Sequence, residues 1–496
     1  MEKKLFRGIV LPLEEIVFRR VVVCLLNNTL NSNWNLRYDL DLVENMAKGK
    51  AYITKMLPTL LTDRMMPLIR PMASEILNWH MYHENNFHDI RECFGLHSLK
   101  YLQWTSIGTI DYQKTMEKII GLKIFDVENR YKLACLYCLE DYIPLLWEEL
   151  SEESKKHFSK ESYFDVDMQL RYYWVDIMKE DEYILPDIFL EREPNPSYYH
   201  EFAFKLAAMK GNKAATRYFF QNVCNEERES DLFSTIVDVL NELGPSSSNR
   251  IFSDFPKGNL SDVLCYLLSL MSPEQQMQIL KTHPCDILTC FQDWPLQHLF
   301  LEVADIIWSF LPEENYVYLL TNMHKRIKTS DYYCPKLFQE FFLRSPGNFK
   351  KEFVNTECQF GYFFPEFFRM QDFETVEVIF RNIEAADRVR LVFGKRVFML
   401  LCDSIFYNKW HVVKVCLQEA MLPEEDKQKL KKSFSKFIKK SHKRLGANEI
   451  NRKRKSFCEF FDKSCNRTDE EKSEDETPTE VKKLCTEKKK NVLPRN

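Results

Sequence analysis

Two stretches of this chain share one spacing, and that spacing limits what the chain can fold into. Residues 133–147, LACLYCLEDYIPLLW, align without a gap on residues 206–220, LAAMKGNKAATRYFF. Ala134 falls on Ala207, Cys138 on Gly211, and Leu145–Leu146 on Tyr218–Phe219. The spacing returns more loosely in FFRMQDFETVEVIFRNI (367–383) and SIFYNKWHVVKVCLQEA (404–420). There Gln371 and Asn408 take the glycine position, and Val378–Ile379 and Val415–Cys416 take the paired apolar one. Each copy predicts two helices joined by a tight turn. Small residues in the first helix admit a close neighbour, and a glycine or asparagine that accepts a left-handed backbone ends it. The apolar pair then folds the second helix back on the first.

Ala134 and Ala207 are 73 residues apart, and Phe367 and Ser404 are 37 apart. These offsets suggest a unit of roughly 36 or 37 residues, within the window of helical repeats. The stretch between Ala207 and Phe367 does not divide evenly, and the Gly-Pro-Ser loop NELGPSSSNR (241–250) is the expected interruption. The expected fold is all-α, an α-solenoid of helix-turn-helix units. This spacing resembles the helix pair of an ankyrin repeat over part of the chain. No copy carries the Thr-Pro-Leu-His opening or the Gly-Ala-Asp hairpin of that family, so the units are read as degenerate and β-fingers are expected to be absent. Separately, FRGIVLPLEEIVFRRVVVCLLNNT (6–29), GTIDYQKTMEKIIGL (108–122) and RYKLACLYCLEDYIPLLWEEL (130–150) are similar to a lineage-expanded, uncharacterised arachnid family with ankyrin-like helical repeats. That likeness implies a helical fold and supplies no activity and no catalytic residues.

Composition agrees with helices. Twelve glycines among 496 residues is about a third of the usual ~7%, too few for glycine-rich phosphate loops and many β-turns. Hydrophobic residues at 45% and aromatics at 14% supply a continuous core. A net charge of −4 predicts neither global nucleic-acid binding nor adsorption to acidic membranes. Residues 1–15, MEKKLFRGIVLPLEE, carry too short an apolar stretch for a secretory signal, and Arg19 and Arg20 break IVFRRVVVCLL (16–26), so no membrane span is expected. A cytoplasmic setting follows, with a nuclear one open through the basic C-terminal stretch. The fifteen cysteines are expected to be packed as small apolar groups.

Four segments are expected: an N-terminal helical region (1–126), the repeats (127–425), a basic capping helix or patch (426–464) and a disordered charged tail (465–496). In LEEIVFRRVVVCLLNN (13–28), Ile16, Val17, Val21, Cys24 and Leu25 predict one apolar helix face. Pro58, Pro67 and Pro71 read as helix starts or breaks, and Gly121 as a helix stop. Lysine-rich 427–444 places Leu430, Phe434, Phe437 and Ile438 on one face, which suits a capping helix. Acidic DEEKSEDE (469–476) belongs to the tail, and its Ser473 suits an acid-directed kinase.

Chemistry is sparse. Cys135-x-x-Cys138 has no second pair for zinc and is read as lying inside a helix, not at the helix N-terminus that activates a thiol. His283, Cys285, Cys290 and His298 are four possible metal ligands at a spacing that matches no common zinc module. His80, His83, His88 and Cys93 lack the H-E-x-x-H order and are expected to be exposed or at a loop end. No catalytic, cofactor or metal residue is therefore assigned. The expected function is a non-catalytic protein-interaction scaffold, with Trp104, Trp174, Trp294 and Trp410 as possible partner anchors and each more simply explained as core. The alternatives are a divergent enzyme and an F-box-like ubiquitin-ligase adaptor, the latter from LPLEEIVFRRVVVCLL (11–26). Nucleic acid is an expected partner only through 427–455.

Overall fold

In the computed structural model, all four expected hinges have a left-handed backbone. The φ angle is 47° at Cys138, 84° at Gly211, 58° at Gln371 and 58° at Asn408. The residue after each hinge donates its N–H back across the turn: Leu139 to Ala134 O at 2.9 Å, Asn212 to Ala207 O at 2.9 Å, Asp372 to Phe367 O at 2.8 Å and Lys409 to Ser404 O at 2.7 Å. The hinge N–H itself reaches the carbonyl of Cys135, Ala208, Phe368 or Ile405. This pair of bonds is the Schellman C-cap, which satisfies the carbonyls a helix end leaves orphaned.

The structure describes residues 11–31, 38–54, 58–87, 96–158, 166–179, 196–224, 228–244, 255–329, 335–360, 363–441 and 447–470. These form helices and turns; the single β contact among them is an isolated bridge between Trp104 and Ile110. The chain divides into two compact units, Met1–Arg344 and Ser345–Asn496. Unit 1 opens with α1 (Leu13–Leu30), α2 (Leu40–Thr54), α3 (Thr59–Met65), α4 (Ile69–Asn86) and α5 (Tyr112–Gly121). The first hairpin, α6 (Val127–Leu136) and α7 (Ile143–Glu149), is followed by α8 (Glu152–Phe158) and α9 (Val166–Lys179). The second is α10 (Pro196–Lys210) and α11 (Lys213–Asn222). Unit 1 continues through α12 (Arg228–Leu243), α13 (Lys257–Leu270), α14 (Pro273–Thr282), α15 (Pro284–Phe291), α16 (Gln297–Ile307), α17 (Glu313–Thr329) and α18 (Pro335–Arg344). Unit 2 holds α19 (Gly347–Phe360), the third hairpin α20 (Phe363–Arg369) and α21 (Phe373–Arg381), α22 (Ala385–Phe393), the fourth hairpin α23 (Lys395–Phe406) and α24 (Trp410–Ala420), then α25 (Glu424–Ser441) and α26 (Ala447–Glu470).

Each hairpin buries the same stripe. Ala134, Ala207, Phe367 and Ser404 are buried in the first helices, as are Ile143, Thr216, Val376 and Val413 in the second. Of the apolar pairs, only the second member is buried throughout, as Leu146, Phe219, Ile379 and Cys416. Leu145 is 65% exposed, because neighbours on a helix point about 100° apart and only one can face the first helix. Between α12 and α18 no described residue repeats the hinge; the other left-handed positions are Gly108, Lys123 and Met421.

The hinges are also where neighbouring elements join. Asn212, the N-cap of α11, donates from Nδ2 to Leu136 O in the first hairpin at 2.9 Å, while its side-chain oxygen accepts from Ala215 N. At the equivalent carbonyl of the fourth hairpin, Phe406 O, the acceptor is used by Lys453 Nζ from α26 at 2.8 Å. In unit 2, α21 and α24 lie side by side through a bidentate Arg381–Glu419 pair at 2.6 and 2.8 Å and an edge contact of Phe373 on His411.

Several local expectations change. The buried face of α1 is Phe18, Val22, Leu25, Leu26 and Leu30, whereas Val17 and Cys24 are exposed and Ile16 and Val21 half-buried. Arg19 sets this rotation: it is 7% exposed, donates to Ile107 O at 3.0 Å, pairs with Glu15 and stacks on the Trp294 ring. The lysine-rich segment keeps the apolar face expected of a capping helix. Leu430, Phe434 and Ile438 are buried in unit 2, Phe437 packs its ring on Phe398, and Phe434 meets Phe457 of α26. Helix α26 runs to Glu470, past the expected boundary at 464, and Ser473 lies outside the described residues.

The exposed hinge residue Gln371 carries a Cβ at a backbone conformation that costs L-residues roughly 1–2 kcal/mol. Part of that gain is offset by the greater freedom of glycine in the unfolded chain. Gln371→Gly is thus expected to stabilise the protein by roughly 0.5–1 kcal/mol, measured as a shift in urea midpoint without a change in slope.

Candidate functional site

The hinge of the second hairpin stands against the start of α13. A Cβ built on Gly211 would lie 3.3 Å from Phe255 Cβ and 3.4 Å from Asn259 Cβ, so the glycine answers both a backbone need and a close approach. Phe255, 3% exposed, stacks on Tyr82 at 4.3 Å between ring centroids and meets Tyr112 and Tyr137 at 5.9 Å. Beside this aromatic cluster lies a cavity of about 230 Å³, walled by the turn before α5, both hinges of the first two hairpins and α13. A second, more open groove of about 370 Å³ runs from α5 over the first hinge to the outer face of α11, touching Glu117, Glu140, Asp141, Arg217 and Gln221. Gln113, Ala214 and Arg217 border both.

Charge is layered in the smaller cavity. Asp262 of α13 lines it, and Glu75 of α4 lies close enough for Asp262 to raise its carboxyl and for both acids to raise the Tyr112 phenol. Burial lifts the Glu75 carboxyl to about 8, repulsion from Asp262 adds to it, and a hydrogen bond from Ile110 N–H opposes it. The Asp262 carboxyl is also raised, by burial first, with Lys213 opposing and Asp111 reinforcing. Tyr112 is 9% exposed, and its hydroxyl has no hydrogen-bond partner among the described residues. Burial, Glu75 and Asp262 all hold that phenol in its neutral form. Lys114, Lys213 and Arg217 also line the cavity, and all three are exposed; Asp111 lines it too and pairs with Lys114 at 3.2 Å, so Lys213 and Arg217 leave the mouth net cationic.

The histidines belong to the wall of this region. Contrary to the expected exposed or loop-end placement, His80 and His83 are 1% and 0% exposed on α4. His83 Nδ1 donates to Trp79 O and Nε2 accepts from the Tyr137 hydroxyl, both at 2.7 Å, an arrangement open only to the neutral ring. Burial lowers its pKa to about 3. The apolar stripe Met72–Ile76–Trp79 carries these imidazoles inward, with Tyr137 giving His83 the partner that lets it stay there. His88 and Cys93 lie outside the described residues.

Cys135 is buried within α6, but Cys138 is the left-handed hinge residue beyond the helix end, so the pair does not share a helix. Burial pushes both thiols well above their usual range, the opposite of an activated cysteine. His283 ends α14 beside Asp286 at 3.4 Å, Cys285 is raised to about 11 by burial, and Cys290 is buried in the core; the His298 side chain lies outside the described residues. Among the described residues no three His, Cys, Asp or Glu side chains are placed to hold a metal ion. Trp174 is core at 4% exposure, while Trp104, Trp294 and Trp410 are half-buried, with Trp410 packed on Phe460. Glu75, Tyr112 and Asp262 form no sequence motif; their one readable sign is an acid within an apolar helix stripe, as Glu75 between Met72 and Trp79.

Among the described residues no helix is long and apolar enough to cross a membrane. No family model, no curated protein and no solved structure matches the chain.

Proposed function

We propose that this protein is a non-catalytic interaction scaffold, built from degenerate ankyrin-like helix hairpins and binding a partner protein across its hinges. The observation that carries this reading is the polar groove of about 370 Å³ that spans the first hinge and the second helix of the next hairpin. Its wall at the first hinge is set by the left-handed turn at Cys138, which lines it, so a partner meets a preorganised surface. Glu117, Glu140 and Asp141 are exposed in it and Arg217 is the one cation in its lining, which suits a predominantly basic segment. The arachnid family likeness agrees with such a role and adds no chemistry to it. A cytoplasmic or nuclear setting remains part of this proposal. The F-box-like alternative has little of α1 to work with, since Phe18, Val22, Leu25 and Leu26 face inward and Leu13 and Val17 alone of its large apolar residues are exposed.

Proximity labelling in the source cells tests the reading with the triple variant Glu117→Lys, Glu140→Lys and Asp141→Lys. Partners labelled by the wild-type chain are expected to fall about tenfold or more, as reversing several rim charges slows association and repels a basic segment. An unchanged set of labelled proteins removes the groove as the binding surface. A deletion arm has to begin at residue 471, because removing 427–470 would strip Phe434 and Phe457 from the core of unit 2. Absence of any cullin-complex subunit from the labelled set removes the adaptor alternative.

A further inference from the structure

The cavity of about 230 Å³ beside Tyr112 is a different kind of place from the groove. Its volume corresponds to about seven or eight water-sized groups, at roughly 30 Å³ each. It is acidic within and cationic at the mouth. Asp262 is held inside, while exposed Lys213 and Arg217 stand around the opening beside Lys114, which pairs with Asp111 at 3.2 Å. The Tyr112 hydroxyl, on a side chain only 9% exposed, has no partner among the described residues. A buried hydroxyl in that state costs roughly 1–3 kcal/mol, which a bound polar group recovers. The rings of Tyr112, Tyr137 and Phe255 line the same space, and aromatic faces attract an ammonium group.

We propose that this cavity binds a small zwitterion of the α-amino-acid class, its ammonium group beside Asp262 and the Tyr112 hydroxyl and its carboxylate between Lys213 and Arg217. A simple anion would be drawn to the mouth and repelled by Asp262 inside. A simple cation faces Lys213 and Arg217 on the way in, beside the Lys114–Asp111 pair. A zwitterion meets opposite charge at both ends. An ammonium beside Asp262 adds a second positive charge to that of Lys213, which already favours the ionised carboxylate there. The inference is independent of the scaffold reading, since the groove acids Glu117, Glu140 and Asp141 take no part in it.

The test is calorimetric titration of the full-length protein with each of the twenty free amino acids, followed by the N-acetyl and the carboxamide derivatives of the best binder. At least one free amino acid is expected to bind, and each derivative to bind tenfold or more weakly. Asp262→Asn is expected to abolish binding. In the double variant Lys213→Ala and Arg217→Ala, the free acid and its amide are expected to bind alike. Tyr112→Phe removes only the unpartnered hydroxyl, so its unliganded stability should equal or exceed that of the wild type while affinity drops about fivefold. Binding by none of the twenty, or equal affinity for the N-acetyl form, overturns the proposal. The triple groove variant should bind the amino acid as the wild type does, so failure of one proposal leaves the other distinct.

Discussion

Asn212→Ala is expected to destabilise the protein by about 2–4 kcal/mol, the largest loss of any single polar side chain at the hinges. Asn212 is 4% exposed and uses both ends of its amide. Its oxygen caps α11 by accepting from Ala215 N at 3.1 Å, and its nitrogen donates to Leu136 O at 2.9 Å in the preceding hairpin. Loss of a cap costs about 1 kcal/mol. The Leu136 carbonyl, in a residue 1% exposed, would then be left buried without this donor, a further 1–3 kcal/mol or so. Asp372 serves as control, because it caps α21 in the same position, accepting from Thr375 N at 3.1 Å, and its carboxylate has no N–H to donate to a hairpin carbonyl as Asn212 does. Asp372→Ala should cost only about 1 kcal/mol. Urea titrations of both variants give the comparison. If Asn212→Ala costs no more than Asp372→Ala, the bond between hairpins contributes nothing and the hinges are independent of one another.

The hinges were the legible part of this fold because a Schellman turn leaves a local trace. It needs one residue that tolerates a positive φ, a short fixed distance after a buried position and before a second helix, and all of that sits within about fifteen residues. Even Cys138 and Gln371, poor residues for the conformation, could be placed by alignment with Gly211 and Asn408, and all four are left-handed. Helix orientation was less legible. On α1 the spacing of Ile16, Val17 and Val21 pointed to one face, but the face that is buried contains Arg19, whose partners Glu15, Ile107 and Trp294 include two that are distant in sequence. For the same reason α12 to α18, which lack the hinge, carried no readable register. The aromatic side of the lysine-rich α25 was legible, since Leu430, Phe434 and Ile438 recur at helical spacing over a single element.

The candidate site was almost invisible. Glu75, Tyr112 and Asp262 come from α4, α5 and α13, and a motif search reads along the chain, not across it. The histidines misled for a related reason. His80 and His83 look like surface groups in a polar stretch, yet Tyr137, from the first hinge, gives His83 the hydrogen bond that makes its burial affordable. Cysteine chemistry was excluded from the sequence on the absence of a second ligand pair, and the structure adds a separate reason, the desolvation of both thiols.

Glu75→Gln is expected to make the protein more stable in alkaline solution and to flatten its dependence on pH. In the folded state burial and Asp262 hold the Glu75 carboxyl up at about 8, whereas the unfolded chain ionises near its ordinary value of 4.5. Below that value both states carry the proton, and Glu75 adds no pH dependence. Between the two values the folded state alone keeps the proton, so stability falls as pH rises, and above about 8 the loss is complete. The full effect is up to about 5 kcal/mol, from 1.36 kcal/mol per pH unit of displacement. Glutamine keeps the shape and can still accept from Ile110 N–H, but it has no proton to lose. The variant should match the wild type near pH 4 and exceed it progressively up to pH 9 in urea unfolding. Asp262, raised by its own burial, leaves a weaker slope of the same sign, with Asp111 steepening it and Lys213 opposing it. The double variant Glu75→Gln and Asp262→Asn should remove that remainder as well. Equal stability of wild type and Glu75→Gln at pH 9 would mean that Glu75 is solvated and ionised in the folded protein and is not held as a neutral acid behind Asp262.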